Sequence, residues 1–211
     1  TFGQSPYQFF ARYLLRLEAA DEPEEGMDAL QRGTLVHEIL ERVYQAVQAA
    51  QMPITPDNQA AALALFDDIS ADVLRDAPRR LGFRAAALWT QERAMLSRSL
   101  RQLIARDFGE AFVNQAMGLE GERRVWALEV AFPEGTRLDD VQLVGRIDRI
   151  DQVGDALIVM DYKTGSRRYD LNALNDGLDF QMLLYLRAAE AYAAGSGLRG
   201  DGGFFWGVER C

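Results

Sequence analysis

The order of patterns along the chain predicts a mixed α/β domain carrying a helical elaboration. Up to Gly118 the apolar residues recur at helical spacing. From Arg124 to Tyr162 they alternate or run together with β-branched residues, and a further helix and a last strand close the chain. With 211 residues, 48% of them hydrophobic, the chain can bury one sizeable core.

Each element has its own signal. Pro6 to Leu17 reads as a short aromatic-rich helix presenting Phe9, Phe10, Tyr13, Leu14 and Leu17, followed by the acidic loop Asp21-Glu22-Pro23-Glu24-Glu25. Gly33 to Gln51 places Val36, Ile39, Leu40, Val43 and Val47 on one helical face, and Pro53 and Pro56 stop it. Asp57 is a candidate cap for an Ala-rich helix reaching about Arg75, because its carboxylate can accept from the free amides of a first turn. Pro78 and Gly82 punctuate again. A long helix is predicted from about Ala85 to Gln115, ended by Gly118 and Gly121. Strands follow at Arg124 to Phe132, Val141 to Asp151 and Ala156 to Tyr162, with Gln152-Val153-Gly154-Asp155 supplying turn chemistry for a hairpin between the last two. Asp179 to Ala194 is a helix, Gly200 to Gly203 reads as a loop, and Phe204-Phe205-Trp206 begins the last strand.

Composition narrows the function classes. A net charge of -9 argues against a generic nucleic-acid binder, since phosphate binding usually draws on a basic field. The charge is uneven, with Arg146, Arg149, Lys163, Arg167 and Arg168 gathered in one region. A local basic strip and a plain acidic surface with scattered arginines both fit that pattern. No apolar run approaches the ~20 residues of a membrane-spanning helix, so no membrane partner is expected. The single cysteine, Cys211, rules out an internal disulfide and an all-cysteine metal site, and a reducing cytoplasmic setting is the default. Thr1-Phe2-Gly3 carries neither an initiator Met nor a signal-peptide pattern, which suggests a domain excised from a larger protein.

Two singletons point to chemistry. Lys163 is the only lysine among 23 basic residues, and His37 is the only histidine. Arginine does not replace lysine where a compact ammonium must face a reacting group. On a strand, residues i and i+2 share a face, so Asp161 and Lys163 project together. A tight hairpin pairing Gln152 with Asp155 sets Asp148 against Val159, diagonal to Asp161; a looser turn sets Asp148 directly opposite Asp161. Either register leaves Asp148, Asp161 and Lys163 on one surface, the carboxylates within roughly 4.5–8 Å. Two carboxylates so close repel unless a cation lies between them, and oxygen ligands favour Mg2+ or Mn2+. Glu129, on the neighbouring strand, extends the acidic cluster. Taken alone, Asp-x-Lys is more often a surface ion pair, and a lone histidine more often a surface or core residue.

Three segments in order, Val144-Gly145-Arg146-Ile147-Asp148-Arg149-Ile150, Asp161-Tyr162-Lys163-Thr164-Gly165 and Gln181-Met182-Leu183-Leu184-Tyr185, resemble the RecB-type nucleases of the PD-(D/E)xK superfamily. Upstream, Gly33-Thr34-Leu35-Val36-His37-Glu38-Ile39-Leu40 is similar to that family's Gly-x-x-x-His helix. Ser5-Pro6-Tyr7-Gln8-Phe9-Phe10 looks like the segment opening the nuclease domain of AddB-type helicase–nuclease subunits. The resemblance runs from about residue 5 to 206. It implies a single nuclease domain over 1–211 with a restriction-endonuclease-like α/β core, a mixed β-sheet flanked by helices, and a large helical insertion at 53–118.

The resemblance also implies a site. His37, Asp148 and Asp161 would bind Mg2+, or Mn2+, with the Tyr162 carbonyl as a further ligand, and Lys163 would be the catalytic lysine beside Asp148 and Asp161. Gln181 and Tyr185 match the family's Gln-x-x-x-Tyr and share a helical face, from which they would reach the site or the DNA backbone; a polar helix edge with a packed tyrosine is the plainer alternative. Glu129 and Arg146 would support the site, Arg146 as an ion-pair partner or a phosphate contact. The implied activity is metal-dependent DNA hydrolysis, with exonuclease action expected, in a bacterial cytoplasmic helicase–nuclease acting in double-strand-break repair and recombination. Its partners would be DNA and helicase regions or subunits of a repair complex. Many relatives hold an iron–sulfur cluster on four cysteines. Here Ser5 stands where the first is expected and Cys211 is alone, so no cluster is expected in this chain.

Other chemistries lack their residues. H-E-x-x-H needs a second histidine, no G-x-x-x-x-G-K-[ST] occurs because the only lysine follows Tyr162, and there is no G-x-S-x-G. The remaining competitor is a catalytically silent, DNA-holding or scaffolding nuclease-like module. Such modules normally lose the Asp or the Lys, and both are present.

Overall fold

The computed structural model describes residues 27–138, 140–165 and 180–208 apart from 86 and 111, together with Phe10. The expected helix at Pro6 to Leu17, the acidic loop, Ser5, Arg167, Arg168 and Cys211 lie outside the described residues, Phe10 excepted.

Helix α1 spans Ala29–Ala49, four residues ahead of the expected start at Gly33. The earlier start follows from a capping box: Asp28 Oδ1 accepts from the Gln31 amide at 2.7 Å, and Gln31 Oε1 accepts from the Asp28 amide at 2.9 Å. Asp57 does not cap the next helix. It sits inside a short 3-10 turn, Pro56–Asn58, and helix α2 runs Gln59–Leu81 with Pro78 inside it. A proline in the final turns removes only one hydrogen bond, so the helix continues until Gly82 turns left-handed at φ 73. The predicted long helix is divided into α3 (Ala87–Gly109) and α4 (Phe112–Met117). The division falls at Gly109, where a Cβ would overlap the Gln59 amide that donates to Ala105 O at 2.7 Å.

The strands are β1 (Arg123–Ala131), β2 (Arg137–Leu138), β3 (Val141–Gln142), β4 (Arg146–Val153), β5 (Ala156–Lys163) and β6 (Arg199–Gly207), with α5 (Gln181–Tyr192) between β5 and β6. The sheet order is β1-β4-β5-β6, antiparallel except for the parallel β5–β6 pair, and β2 and β3 form a separate ribbon. The predicted strand Val141 to Asp151 is thus broken at 143–145. Gly145, at the end of the break, leaves room for the Phe132 ring, which a Cβ there would approach to 2.9 Å. The glycines at 200–203 are in strand β6 rather than in a loop. They serve close packing: a Cβ at Gly203 would overlap Met182 Sδ and lie 2.8 Å from Val159 O. This mixed sheet flanked by helices agrees with the α/β, restriction-endonuclease-like expectation.

Alternation along β5 divides the core between the two sheet faces. Leu157 and Val159 join Ile150, Ala188 and Ala189 under α5, while Tyr162 joins Leu35, Ile39, Tyr44, Leu100 and Phe108 under α1 and α3. The second face also buries charge. Arg149 Nη2 pairs with Asp107 Oδ2 at 3.0 Å and Asp151 Oδ2 at 2.9 Å; Arg123 pairs with Asp107 at 2.5 Å and Asp151 at 2.8 Å. Tyr44 Oη donates to Asp107 Oδ2 at 2.5 Å, and the Arg149 guanidinium lies 3.9 Å from the Tyr44 ring centre. Two arginines and two aspartates balance to zero net charge in the interior, which is the condition for keeping them there.

Burial alone would raise the Asp107 carboxyl, but Arg123 and Arg149 hold it down from 3.8 to about 2. A depressed carboxyl stabilises the fold above its unfolded value, and that stabilisation is withdrawn as pH falls from about 4 through about 2, an effect of roughly 2 kcal/mol. Urea unfolding of the parent should therefore lose more stability between about pH 4 and 2 than unfolding of Asp107→Asn. Parallel pH profiles would contradict this account of the network.

Candidate active site

The ladder places three carboxylates in one row. Leu128 pairs with Arg149 and Val130 with Ile147, which sets Glu129 opposite Asp148. Between β4 and β5 the pairing Val153↔Ala156 to Arg149↔Met160 carries Asp148 directly opposite Asp161, the register that the sequence associated with a looser turn. The turn itself is tight, placed one residue further along than the Gln152–Asp155 pairing. A two-residue loop closes the hairpin, with Gly154 at φ 58 supplying the positive φ that its first position needs. Asp148 and Asp161 are 9% and 3% exposed, so water offsets little of their mutual repulsion.

The compensating groups come from different elements. From α1, His37 Nδ1 reaches Asp148 Oδ1 at 3.3 Å. From β5 itself, the Tyr162 backbone N–H donates to Asp148 Oδ2 at 2.8 Å, and Lys163 Nζ lies 2.6 Å from Asp161 Oδ2. From α5, Gln181 Nε2 donates to Asp161 Oδ1 at 3.2 Å and to Tyr185 Oη at 2.8 Å, while its Oε1 accepts from Lys163 at 3.0 Å. With a carboxylate on one side and an ammonium on the other, the amide has one favourable orientation. Arg146 pairs with Glu129 at 3.3 Å across an open edge, its own side chain two-thirds exposed.

Titration follows these contacts. The hydrogen bond to Asp148 raises the imidazole of His37 above its usual value, against the opposing effect of burial. Burial pushes up Asp161, opposed by Lys163, and likewise Glu129, opposed by Arg146. Carboxyls raised by burial next to a histidine raised by Asp148 describe a site whose negative charge is poorly solvated, a deficit that a bound cation would offset.

The residues fit a divalent metal. One ring nitrogen of His37 and a carboxylate oxygen each from Glu129 and Asp148 lie within 4.8 Å of one another. An oxygen-rich set with one imidazole suits Mg2+ or Mn2+. Glu129, expected at the margin, stands inside this group, while the Asp161 carboxylate is turned to Lys163 and Gln181. Glu129 also has φ 48, a left-handed conformation rarely adopted by a residue with a side chain.

A family profile for the PD-(D/E)XK nuclease superfamily matches residues 1–210. The chain belongs to that superfamily. Its four-stranded mixed sheet with flanking helices agrees with the superfamily's restriction-endonuclease-like fold. Among curated relatives, an ATP-dependent helicase/deoxyribonuclease subunit of Leuconostoc citreum (strain KM20) is 25% identical, over 98% of this chain and 18% of the relative. Proteins of the same name from Clostridium tetani (strain Massachusetts / E88) and Bacillus mycoides (strain KBAB4) are 24% and 28% identical, over 89% and 88% of this chain. The chain spans less than a fifth of the length of these relatives, 16–18%. Among the described residues, no helix of this nuclease-superfamily domain is long and apolar enough to cross a membrane.

Sequence reasoning did not single out the buried partners Asp107, Arg123, Asp151 and Tyr44. A signal was present: Asp107 falls among Leu103, Ile104 and Phe108 at a core-facing helical position, where a charge requires a partner. The backbone at Glu129 left no such trace. Replacing it tests whether strain and carboxylate crowding are built into the metal-free site. Glu129→Gly should raise metal-free stability by about 1 kcal/mol, roughly 2–4 °C in Tm, and reduce the further rise produced by Mn2+. A lower metal-free Tm would show that Glu129 stabilises the fold instead.

Proposed function

We propose that this domain hydrolyses DNA phosphodiester bonds with a bound divalent metal, Mg2+ or Mn2+. The observation that carries this reading is the row Glu129–Asp148–Asp161, flanked by His37 at one carboxylate and Lys163 at another. His37, Asp148 and Glu129 would hold the metal, with Asp161 and the Tyr162 carbonyl as further ligands of the same ion. A metal so bound supplies Lewis-acid stabilisation of phosphoryl oxygens and a more acidic water. Lys163, fixed by Asp161 and by Gln181 Oε1, holds its ammonium where it can orient the attacking water or offset charge developing on the phosphate. Gln181 is itself fixed by Tyr185, so the α5 pair positions the lysine. Arg146, exposed at the rim, is placed to meet a phosphate once Glu129 engages a cation.

The relatives are named helicase/deoxyribonuclease subunits, which supports reading this domain as a nuclease module that works with helicase regions on DNA. The bacterial cytoplasmic setting, the role in double-strand-break repair and recombination and the exonuclease action belong to the same proposal and rest on the family resemblance. The helices of 53–118 are read as an insertion within a single nuclease domain.

Cleavage of labelled DNA should require Mg2+ or Mn2+. Asp161→Ala and Lys163→Ala should each lower it by at least about 100-fold while DNA binding persists. Binding by the unsubstituted chain without cleavage under either metal would refute catalysis and favour the DNA-holding alternative.

A further inference from the structure

The backbone ladder between the two central strands stops one pair short of the site. The last pair toward it is Arg149↔Met160, and at the next position Asp148 and Asp161 face one another. Beyond that pair the Tyr162 amide donates to the Asp148 side chain. Two carboxylates that repel thus sit where the strands are least tied by their own backbones.

A side-chain bond crosses the strands at this place, on the opposite face. Arg149 follows Asp148 on β4, and Tyr162 follows Asp161 on β5, so both side chains point away from the carboxylates. Arg149 Nη1 donates to Tyr162 Oη at 2.8 Å, and both residues are buried, 0% and 4% exposed. The guanidinium is itself held by Asp151 at 2.9 Å and by Asp107 at 3.0 Å, the latter reaching in from α3. Asp107 is fixed in turn by Arg123 and Tyr44. A chain of buried polar contacts therefore runs from α3 to the backs of the two strands that carry Asp148 and Asp161.

We propose that Arg149 and the Tyr162 hydroxyl form a staple that sets the separation of Asp148 and Asp161, with Asp107 as its anchor, so that Tyr162, Arg149 and Asp107 are positioning residues for the metal. The inference rests on the metal reading of the site. Polar groups behind a metal's ligands fix those ligands in place, and losing one typically weakens metal binding by 10–100-fold. Stability alone is a weak reason for the network, because buried ion pairs seldom exceed the hydrophobic packing they displace.

The test compares two hydroxyl deletions in the full chain. Tyr162→Phe removes the staple's acceptor and keeps the ring; Tyr44→Phe removes a hydroxyl from the same network that touches neither carboxylate strand. Mn2+ binding, followed by electron paramagnetic resonance of the free ion, should weaken about tenfold in Y162F and by no more than about threefold in Y44F, where Arg123 and Arg149 still hold Asp107, with circular dichroism showing both folded. A purely structural network would leave Mn2+ affinity unmoved in both. Parental Mn2+ affinity in Y162F, or an equal loss in Y44F, overturns the staple. If Y162F does not fold, D107N replaces it: at least about fivefold weaker Mn2+ binding supports the proposal and parental affinity overturns it. An unsubstituted chain that binds no Mn2+ refutes the metal reading, a failure distinct from parental affinity in the variant.

Discussion

Three carboxylates on adjacent strands, mostly out of water, impose a repulsion that the row cannot relieve from within. At an effective dielectric near ~20, two like charges ~5 Å apart cost about 3 kcal/mol, several times what a surface ion pair returns. Relief must come from groups outside the row, and the architecture supplies them from three sides. Helix α1 brings His37, helix α5 brings Gln181, and strand β5 contributes Lys163 and the Tyr162 amide. None of these removes the excess. The imidazole and ammonium share the three acids with Arg146, whose guanidinium is mostly in water, and burial still holds the carboxyls of Glu129 and Asp161 above their usual range.

The two faces of the sheet treat charge in opposite ways. Behind the strands, Arg123 and Arg149 meet Asp107 and Asp151 in a closed, neutral set with two tyrosines over it. In front, the balance is left negative and partly open. The same strand residues alternate between these roles: Asp148, then Arg149; Asp161, then Tyr162, then Lys163. A one-residue slip in register would exchange the two sets, placing Arg149 in the site and Asp148 in the core. The neutral set therefore penalises the wrong register while it supports the right one.

Much of this was legible in the sequence, and the parts that were not share a cause. Asp148, Asp161 and Lys163 could be placed on one surface from strand periodicity alone, because a two-residue repeat leaves few alternatives. His37 came to the site only through family resemblance, since joining α1 to β4 is a tertiary event. The element boundaries failed where a glycine or proline served packing rather than turning: Pro78 lies within α2, and the glycines at 200–203 within β6. The hairpin register stayed open between two choices because Gln152-Val153-Gly154-Asp155 suits either loop placement. Backbone pairing decides it, and with it the position of Asp148 against Asp161.

The glycines of β6 show how far the site's geometry depends on positions without functional side chains. Gly203 lies beside Val159, and its missing Cβ admits Met182 of α5 directly onto the strand. Met182 is next to Gln181, so the depth of that contact sets how close the amide comes to Asp161 and Lys163. A methyl group at 203 would meet a backbone oxygen that cannot swing aside, and the helix would have to rise. The hydrogen bonds of Gln181, at 3.0 and 3.2 Å, have little length to lose before they fail. The positioning of the only lysine in the chain thus rests on an absent side chain one strand away. Composition drew attention to the lysine; only the packing shows what holds it.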